Sequence, residues 1–272
     1  MEKLILTVAT TGSGTPLSKY PTLPCKPKEI ADEVYACYQA GAACAHIHVR
    51  EDDGSRSMDI RRFRETVERI RDKCDILINV TTSGLEFTQE ERLAPLSLCP
   101  DLGSFNAGSM NFGARVFANS KEFLEKLALE MDRYHVKPEI EVYDGAMIAN
   151  AVSLCRRGFL PEPLHFQLVL GVDGGLPATE KNLLYLVDML PPGSTWSVVG
   201  VGKASAMMWS MAVHLGGHIR FGTEDNIYLR KGVLAQRSLD FVEPLKRLAQ
   251  FFERPLATVR DARRILGLEA GG

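Results

Sequence analysis

Eight short apolar runs, each followed by an amphipathic stretch, recur from one end of this 272-residue chain to the other. The runs are Leu4–Thr10, Cys44–Val49, Ile76–Thr82, Leu102–Phe105, Glu139–Tyr143, His165–Leu170, Trp196–Val199 and His218–Phe221. Their length and apolar character suit strands buried on both faces. Helical periodicity fills the gaps at Pro27–Ala40, Ile60–Lys73, Gln89–Leu98, Ser120–Tyr134, Ala146–Arg157, Thr179–Met189, Lys203–Leu215 and Ile227–Phe252, with a tail helix at Ala257–Leu266. Strict strand–helix alternation implies parallel strands joined by crossovers, and eight such units in one chain of this size predict an α/β fold, a single-domain (β/α)8 TIM barrel, rather than an open doubly wound sheet. Punctuation agrees. Pro27 suits a first helical turn, Gly41 a helix stop, Asp59 and Ser120 N-caps, and Pro191-Pro192-Gly193 ends the seventh unit's helix. No linker or composition break divides residues 1–272, so the chain reads as one barrel with an extra C-terminal helix, ending in a frayed tail, Glu269 to Gly272.

Composition narrows the function. The net charge is -2 and the charges of both signs are interspersed, which excludes the basic stripe that nucleic acid or an anionic membrane requires. Small molecules are the expected partners. The six cysteines at 25, 37, 44, 74, 99 and 155 form no CxxC pair and read as reduced thiols. Leu4 to Ala9 is too short for a signal-peptide core, and no later run is long enough to span a membrane, so a cytoplasmic protein is expected.

Barrels of this kind build their chemistry at the carboxyl ends of the strands. That rule selects His46-Ile47-His48 at the end of the second run. In extended backbone, alternate side chains leave one face, so the two imidazoles are spaced to grip one transition metal. Two polar residues on a half-exposed strand would look the same, but Ala42, Ala43, Ala45, Ile47 and Val49 predict a strand buried on both sides, where unpartnered imidazoles are costly. Two histidines and one carboxylate are a recurring catalytic zinc set, and Glu224, just past the eighth strand, is the third ligand the topology offers. Capping of the next helix is an alternative use for Glu224 or Asp225. Arg220 projects from the last strand, where a guanidinium can hold a carboxylate or an enolate oxygen and leave Asp225 as a base; a purely structural Arg220–Asp225 pair is the alternative. The Gly200-Val201-Gly202-Lys203 turn can present amides and an ammonium to an anion, or be simple turn chemistry. His165 and His135 fall toward the opposite mouth and are not expected as ligands.

Several segments, in order, together resemble the β-keto acid cleavage enzymes, whose founding activity is 3-keto-5-aminohexanoate cleavage. They are His46-Ile47-His48-Val49-Arg50 with Asp52-Asp53-Gly54, then Gly103 to Phe112, then Gly216 to Arg220 running into Glu224-Asp225-Asn226-Ile227-Tyr228. The resemblance spans nearly the whole chain. It implies a barrel with zinc, or another divalent metal, on His46, His48 and Glu224. It implies acetyl-CoA as co-substrate, with a β-keto acid converted to acetoacetate and a new acyl-CoA by a retro-Claisen exchange. Asp225, oriented by Arg220, matches the family's base, and Thr82, Ser83 and Asn106 match positions that contact substrate. Gly202 and Lys203 are the positions expected to meet the CoA. The family also implies a homo-oligomer, a tetramer or dimer, to which the last helices could contribute an interface.

Two departures bear on substrate. Many relatives carry an acidic residue in the first loop to receive an ammonium, whereas here the loop reads Thr10-Thr11-Gly12-Ser13-Gly14-Thr15-Pro16. A cationic substrate would lack its counter-charge, so the aminohexanoate is not expected. After the seventh strand, relatives usually show Gly-Arg-His-Gln and this chain has Gly202-Lys203-Ala204-Ser205. Two other readings compete with the leading one. An amidohydrolase-type metallohydrolase would need HxH on the first strand and further histidines at the ends of the fifth and sixth; a non-catalytic metal-binding barrel would bind metal without consuming acetyl-CoA.

Overall fold

A computed structural model describes residues 2–268; the tail from Glu269 to Gly272 lies outside them. Eight parallel strands close into a barrel: β1 Leu6–Ala9, β2 Cys44–Ile47, β3 Leu77–Val80, β4 Leu102–Asn106, β5 Lys137–Val142, β6 His165–Leu170, β7 Thr195–Gly200 and β8 His218–Phe221. Closure comes from β1, which pairs with β2 through Thr7 and Cys44 and with β8 through Thr7 and Arg220. Helices α1 Pro27–Ala40, α2 Ile60–Arg71, α3 Gln89–Leu93, α4 Lys121–Arg133, α5 Gly145–Arg156, α6 Glu180–Asp188, α7 Ser205–Leu215 and α8 Val242–Phe251 follow the strands in turn. The expected signals start and stop them. Asp59 accepts the Arg61 amide, Ser120 accepts the Phe123 amide, and Gly41 ends α1 at φ 117°, a left-handed conformation that glycine adopts without a Cβ clash.

Strand alternation sorts the side chains into two environments. Outward residues such as Leu6, Val8, Ile78, Val80, Phe105, Ile140, Phe166 and Ile219 are buried against the helices. The inward row is polar, unlike the branched apolar filling usual in such barrels. Asn79 donates to Glu139 at 2.6 Å, Ser197 donates to Gln167 at 2.7 Å, and Arg220 reaches Glu141 at 3.0 Å, all buried. The amino-terminal end is floored by α9, Val259–Ile265, whose Val259, Ala262 and Ile265 pack with Ile5, Cys44, Leu77 and Leu102. Its apolar face therefore covers the chain's own barrel, not a free interface.

The expected helix over Ile227–Phe252 is a correction. Residues Tyr228–Arg230 and Val233–Leu234 form an antiparallel hairpin, a short 3-10 turn covers Ser238–Phe241, and helix begins only at Val242. Apolar residues three and four apart imitate helical periodicity there, but Gly232 at φ 78° makes the turn that breaks it. Two further hairpins rise from the carboxyl-end mouth, Val49–Arg50 with Arg56–Ser57 and Met110–Phe112 with Arg115–Phe117.

Candidate active site

A cavity of about 470 Å³ opens at the carboxyl ends of the strands, with His46, His48, Glu141, Arg220, Glu224 and Asp225 in its lining. β2 ends at Ile47, so His46 lies in the strand and His48 just beyond it. Their rings are 5.1 Å apart. The Nε2 atoms of His46 and His48 stand 3.9 and 3.4 Å from the Glu224 Oε1. One donor atom from each of the three residues falls within 4.8 Å of the others.

Glu224 is aimed by the loop after β8. Its amide donates to the Ala9 carbonyl at 3.1 Å, and Thr223 Oγ1 donates to the Thr10 carbonyl at 2.6 Å, so this loop is fastened to the end of β1. Gly222, at φ 136°, lies so close to Ala9 that a Cβ would overlap the Ala9 carbonyl. The first loop is fastened in turn by Arg50, which is 2% exposed and donates to the carbonyls of Thr11, Gly12 and Gly54. Arg50 belongs to the HIHVR segment, but its role was not visible there, because a loop's carbonyls leave no mark in sequence.

Arg220 organises the rest. Its guanidinium grips both oxygens of Asp225 at 3.0 and 2.9 Å, touches Glu224 Oε1 at 2.6 Å and reaches Glu141 Oε1 at 3.0 Å. Glu141, on β5, has no sequence signal for this contact, since nothing local links it to Arg220, 79 positions away. Tyr143 places its hydroxyl 3.3 Å from Asn106 Oδ1 and 3.5 Å from Glu141 Oε2.

Burial and charge compete at each group. Burial, assisted by the Arg220 charge, lowers His46 to about 3, so its imidazole is neutral and in the form that ligates metal. Burial pushes Asp225 up to about 6 against the pull of Arg220, with Glu224 also raising it. Burial likewise raises Glu141 to about 7 in spite of Arg220. Burial opposes ionisation of Glu224 too, but Arg220 and the two imidazoles win and hold it well below the usual carboxylate range.

The donor set fits a divalent ion. Two imidazoles and a carboxylate match zinc's preference, and His46 Nδ1 and Glu224 Oε2 are buried atoms without a hydrogen-bond partner among the described residues. Three carboxylates around one guanidinium also leave an excess of negative charge that a dication balances.

The remaining sequence-predicted positions divide. Ser83 lines the cavity and shares a 2.8 Å hydrogen bond with Thr81. Thr82 is fully buried, donating its hydroxyl to the Ser104 carbonyl at 2.6 Å, Asn106 is buried against Tyr143, and neither lines the cavity. Gly202 lines the cavity and its amide donates to the Asp225 carbonyl at 2.9 Å, while Lys203 is exposed beside it. His165 sits low in the barrel, paired with Thr195 at 2.8 Å, and the ends of β5 and β6 carry no histidine. The six cysteines are free thiols, and no helix among the described residues is long and apolar enough to cross a membrane.

Known proteins resemble this chain in sequence and in fold. The family model described as beta-keto acid cleavage enzyme matches residues 3–268. The chain is 41% identical over 272 residues to a 3-keto-5-aminohexanoate cleavage enzyme of Fusobacterium nucleatum subsp. nucleatum, covering 99% of each. It is 37% identical over 268 residues to a 3-oxoadipate:acetyl-CoA acetyltransferase of Cupriavidus necator, covering 97% of this chain and 94% of that one. Among solved structures, the ternary complex of ObcA with C4-CoA adduct and oxalate superposes with a TM-score of 0.78 at 20% identity, a likeness of fold; the match covers 91% of this chain and 68% of that one. Against the apo structure of ObcA the chain spans 66% of the longer protein.

Proposed function

Because this chain belongs to the beta-keto acid cleavage enzyme family, we propose that its cavity exchanges a β-keto acid with acetyl-CoA to give acetoacetate and a new acyl-CoA, with a divalent ion, zinc by preference, on His46, His48 and Glu224. One observation carries the reading: a donor set of two imidazoles and a carboxylate shares the end of one cavity with a second carboxylate, Asp225, that Arg220 grips on both oxygens. When bound, the ion supplies Lewis acidity toward the keto and carboxylate oxygens of the substrate.

Asp225 removes the proton from the carbon between those oxygens. A carboxyl group near 6 is a stronger base than an ordinary aspartate and is still ionised at neutral pH. Arg220 fixes the direction of both Asp225 oxygens, and Glu141 fixes Arg220 from the other side. The deprotonated carbon attacks the acetyl thioester and expels the CoA thiolate. That thiolate then adds to the original keto carbon, the bond to the former α-carbon breaks, and Asp225 returns its proton to the departing acetoacetate. Ser83 offers its hydroxyl to the bound acid, while Thr82 and Asn106 act one layer back, Asn106 through Tyr143. Gly202 and Lys203 lie where the phosphates of CoA can approach. A homo-oligomer in the cytoplasm is part of the same reading.

Ancestry leaves the keto acid's side chain open, since relatives are named for 3-keto-5-aminohexanoate and for 3-oxoadipate. The first loop argues against a cationic one: no carboxylate lies between Thr10 and Pro16, and Gly14 faces open space. Protein stripped by chelator and reconstituted with zinc, then mixed with acetyl-CoA and a panel of β-keto acids, tests the proposal. Acetoacetate from the reconstituted form alone supports it; acetoacetate from the stripped form, or from neither, removes it.

A further inference from the structure

We infer that Arg56 selects the far end of the substrate, and that this chain acts on β-keto acids carrying a second anionic group there. The inference rests on the acetyl-exchange reading above and adds the chemistry of the tail. Arg56 lies on the mouth hairpin after β2 and lines the cavity. Its Nε donates to the Ser13 carbonyl at 2.9 Å, which holds the guanidinium beside the first loop, where no carboxylate lies between Thr10 and Pro16. Opposite Arg50 in the hairpin register, it is carried by backbone that the buried Arg50 ties to that same loop. The position is therefore preorganised before substrate arrives.

The charge around it is positive. Glu86 pairs with Arg56, but the same Glu86 oxygen also accepts Arg115 Nη1 at 2.9 Å, so two guanidinium groups share one carboxylate. One positive charge is left uncompensated. The other charged side chains on the upper wall are Lys19 and Asp173, both exposed and opposite in sign, so they leave that surplus unchanged. A guanidinium with donors to spare receives a carboxylate in its plane, a geometry that neither a methyl nor an ammonium end can use. The deep carboxylates do not alter this, because Glu224, Asp225 and Glu141 are turned onto Arg220 and the histidines.

The test is a pair of β-keto acids of equal chain length, one ending in carboxylate and the other in methyl, each assayed for acetoacetate with the zinc-loaded enzyme. The carboxylate-ended acid is expected to have at least a tenfold higher kcat/KM, expressed mainly in KM. Arg56→Met should reduce that ratio at least tenfold, and Arg56→Lys should recover part of it. Equal kcat/KM for the two acids, or an unchanged ratio in Arg56→Met, overturns the inference, while acetoacetate from the methyl-ended acid leaves the exchange reaction standing. No acetoacetate from either acid removes both.

Discussion

Gly12 and Glu224 are in such close contact that the Glu224 carboxylate, the proposed third metal ligand, has room only because residue 12 has no side chain. A Cβ on Gly12 would run into Glu224 Cγ and lie 2.9 Å from its Cδ, and Gly12 sits at φ 58°. Gly12→Ala therefore strains the backbone by about 1–2 kcal/mol and displaces the carboxylate. The expected outcome is a metal affinity lowered by roughly 10–100-fold, read by competition with a chromogenic chelator, with a thermal transition that remains cooperative. Unchanged affinity would mean that Glu224 is not a ligand.

The proposed reaction gives the neighbours Asp225 and Glu224 separate duties. Asp225→Asn removes the base and leaves the donor set intact, so turnover should fall by about 10²–10⁴ while metal stoichiometry stays at the wild-type value. Joint loss of metal and turnover would assign Asp225 to the metal site instead.

The pH profile follows from the same carboxylate. A base works only when deprotonated, so kcat/KM rises with pH through its pKa and then levels. Asp225 stands at about 6, and a bound dication can only lower it, which puts the acid limb at or below pH 6. Arg220→Lys keeps a charge but loses the two-point grip; the limb should move upward and the plateau fall. A wild-type limb above pH 7 contradicts the assignment.

Stability has a different anchor at the barrel floor. Arg254 is 1% exposed and donates to the carbonyls of Glu2, Ala212, Val213, Gly216 and Gly217, closing the end of α7 onto the start of β8. Burial lowers it to about 10, still charged at neutral pH. Arg254→Met leaves several carbonyls without a donor and should cost about 3 kcal/mol. Denaturant titration reads that loss, and kcat of the folded fraction should stay near wild type.

How much of this was legible beforehand depended on whether the signal was local. Each barrel strand has its own apolar run, and His46-Ile47-His48 announces a donor pair within three residues. Glu224 and Asp225 were placed by the rule that chemistry gathers at strand ends. Glu141 and Arg50 were not assigned roles, because their partners, Arg220 and the first-loop carbonyls, are brought to them only by barrel closure. Thr82 shows the opposite limit: a hydroxyl at a strand end reads the same whether it faces substrate or, as here, the Ser104 carbonyl. The hairpin Tyr228–Arg230 with Val233–Leu234 mimics a helix in sequence, because its apolar spacing outweighs one glycine.

The central claim, acetyl exchange through one shared carbon nucleophile, is tested most directly by following label. Zinc-loaded enzyme is given acetyl-CoA with both acetyl carbons as ¹³C and an unlabelled β-keto acid, and the acetoacetate is examined by NMR. The mechanism predicts label at C3 and C4 of acetoacetate and none in the new acyl-CoA. Unlabelled acetoacetate, or label carried into the new acyl-CoA, would contradict it.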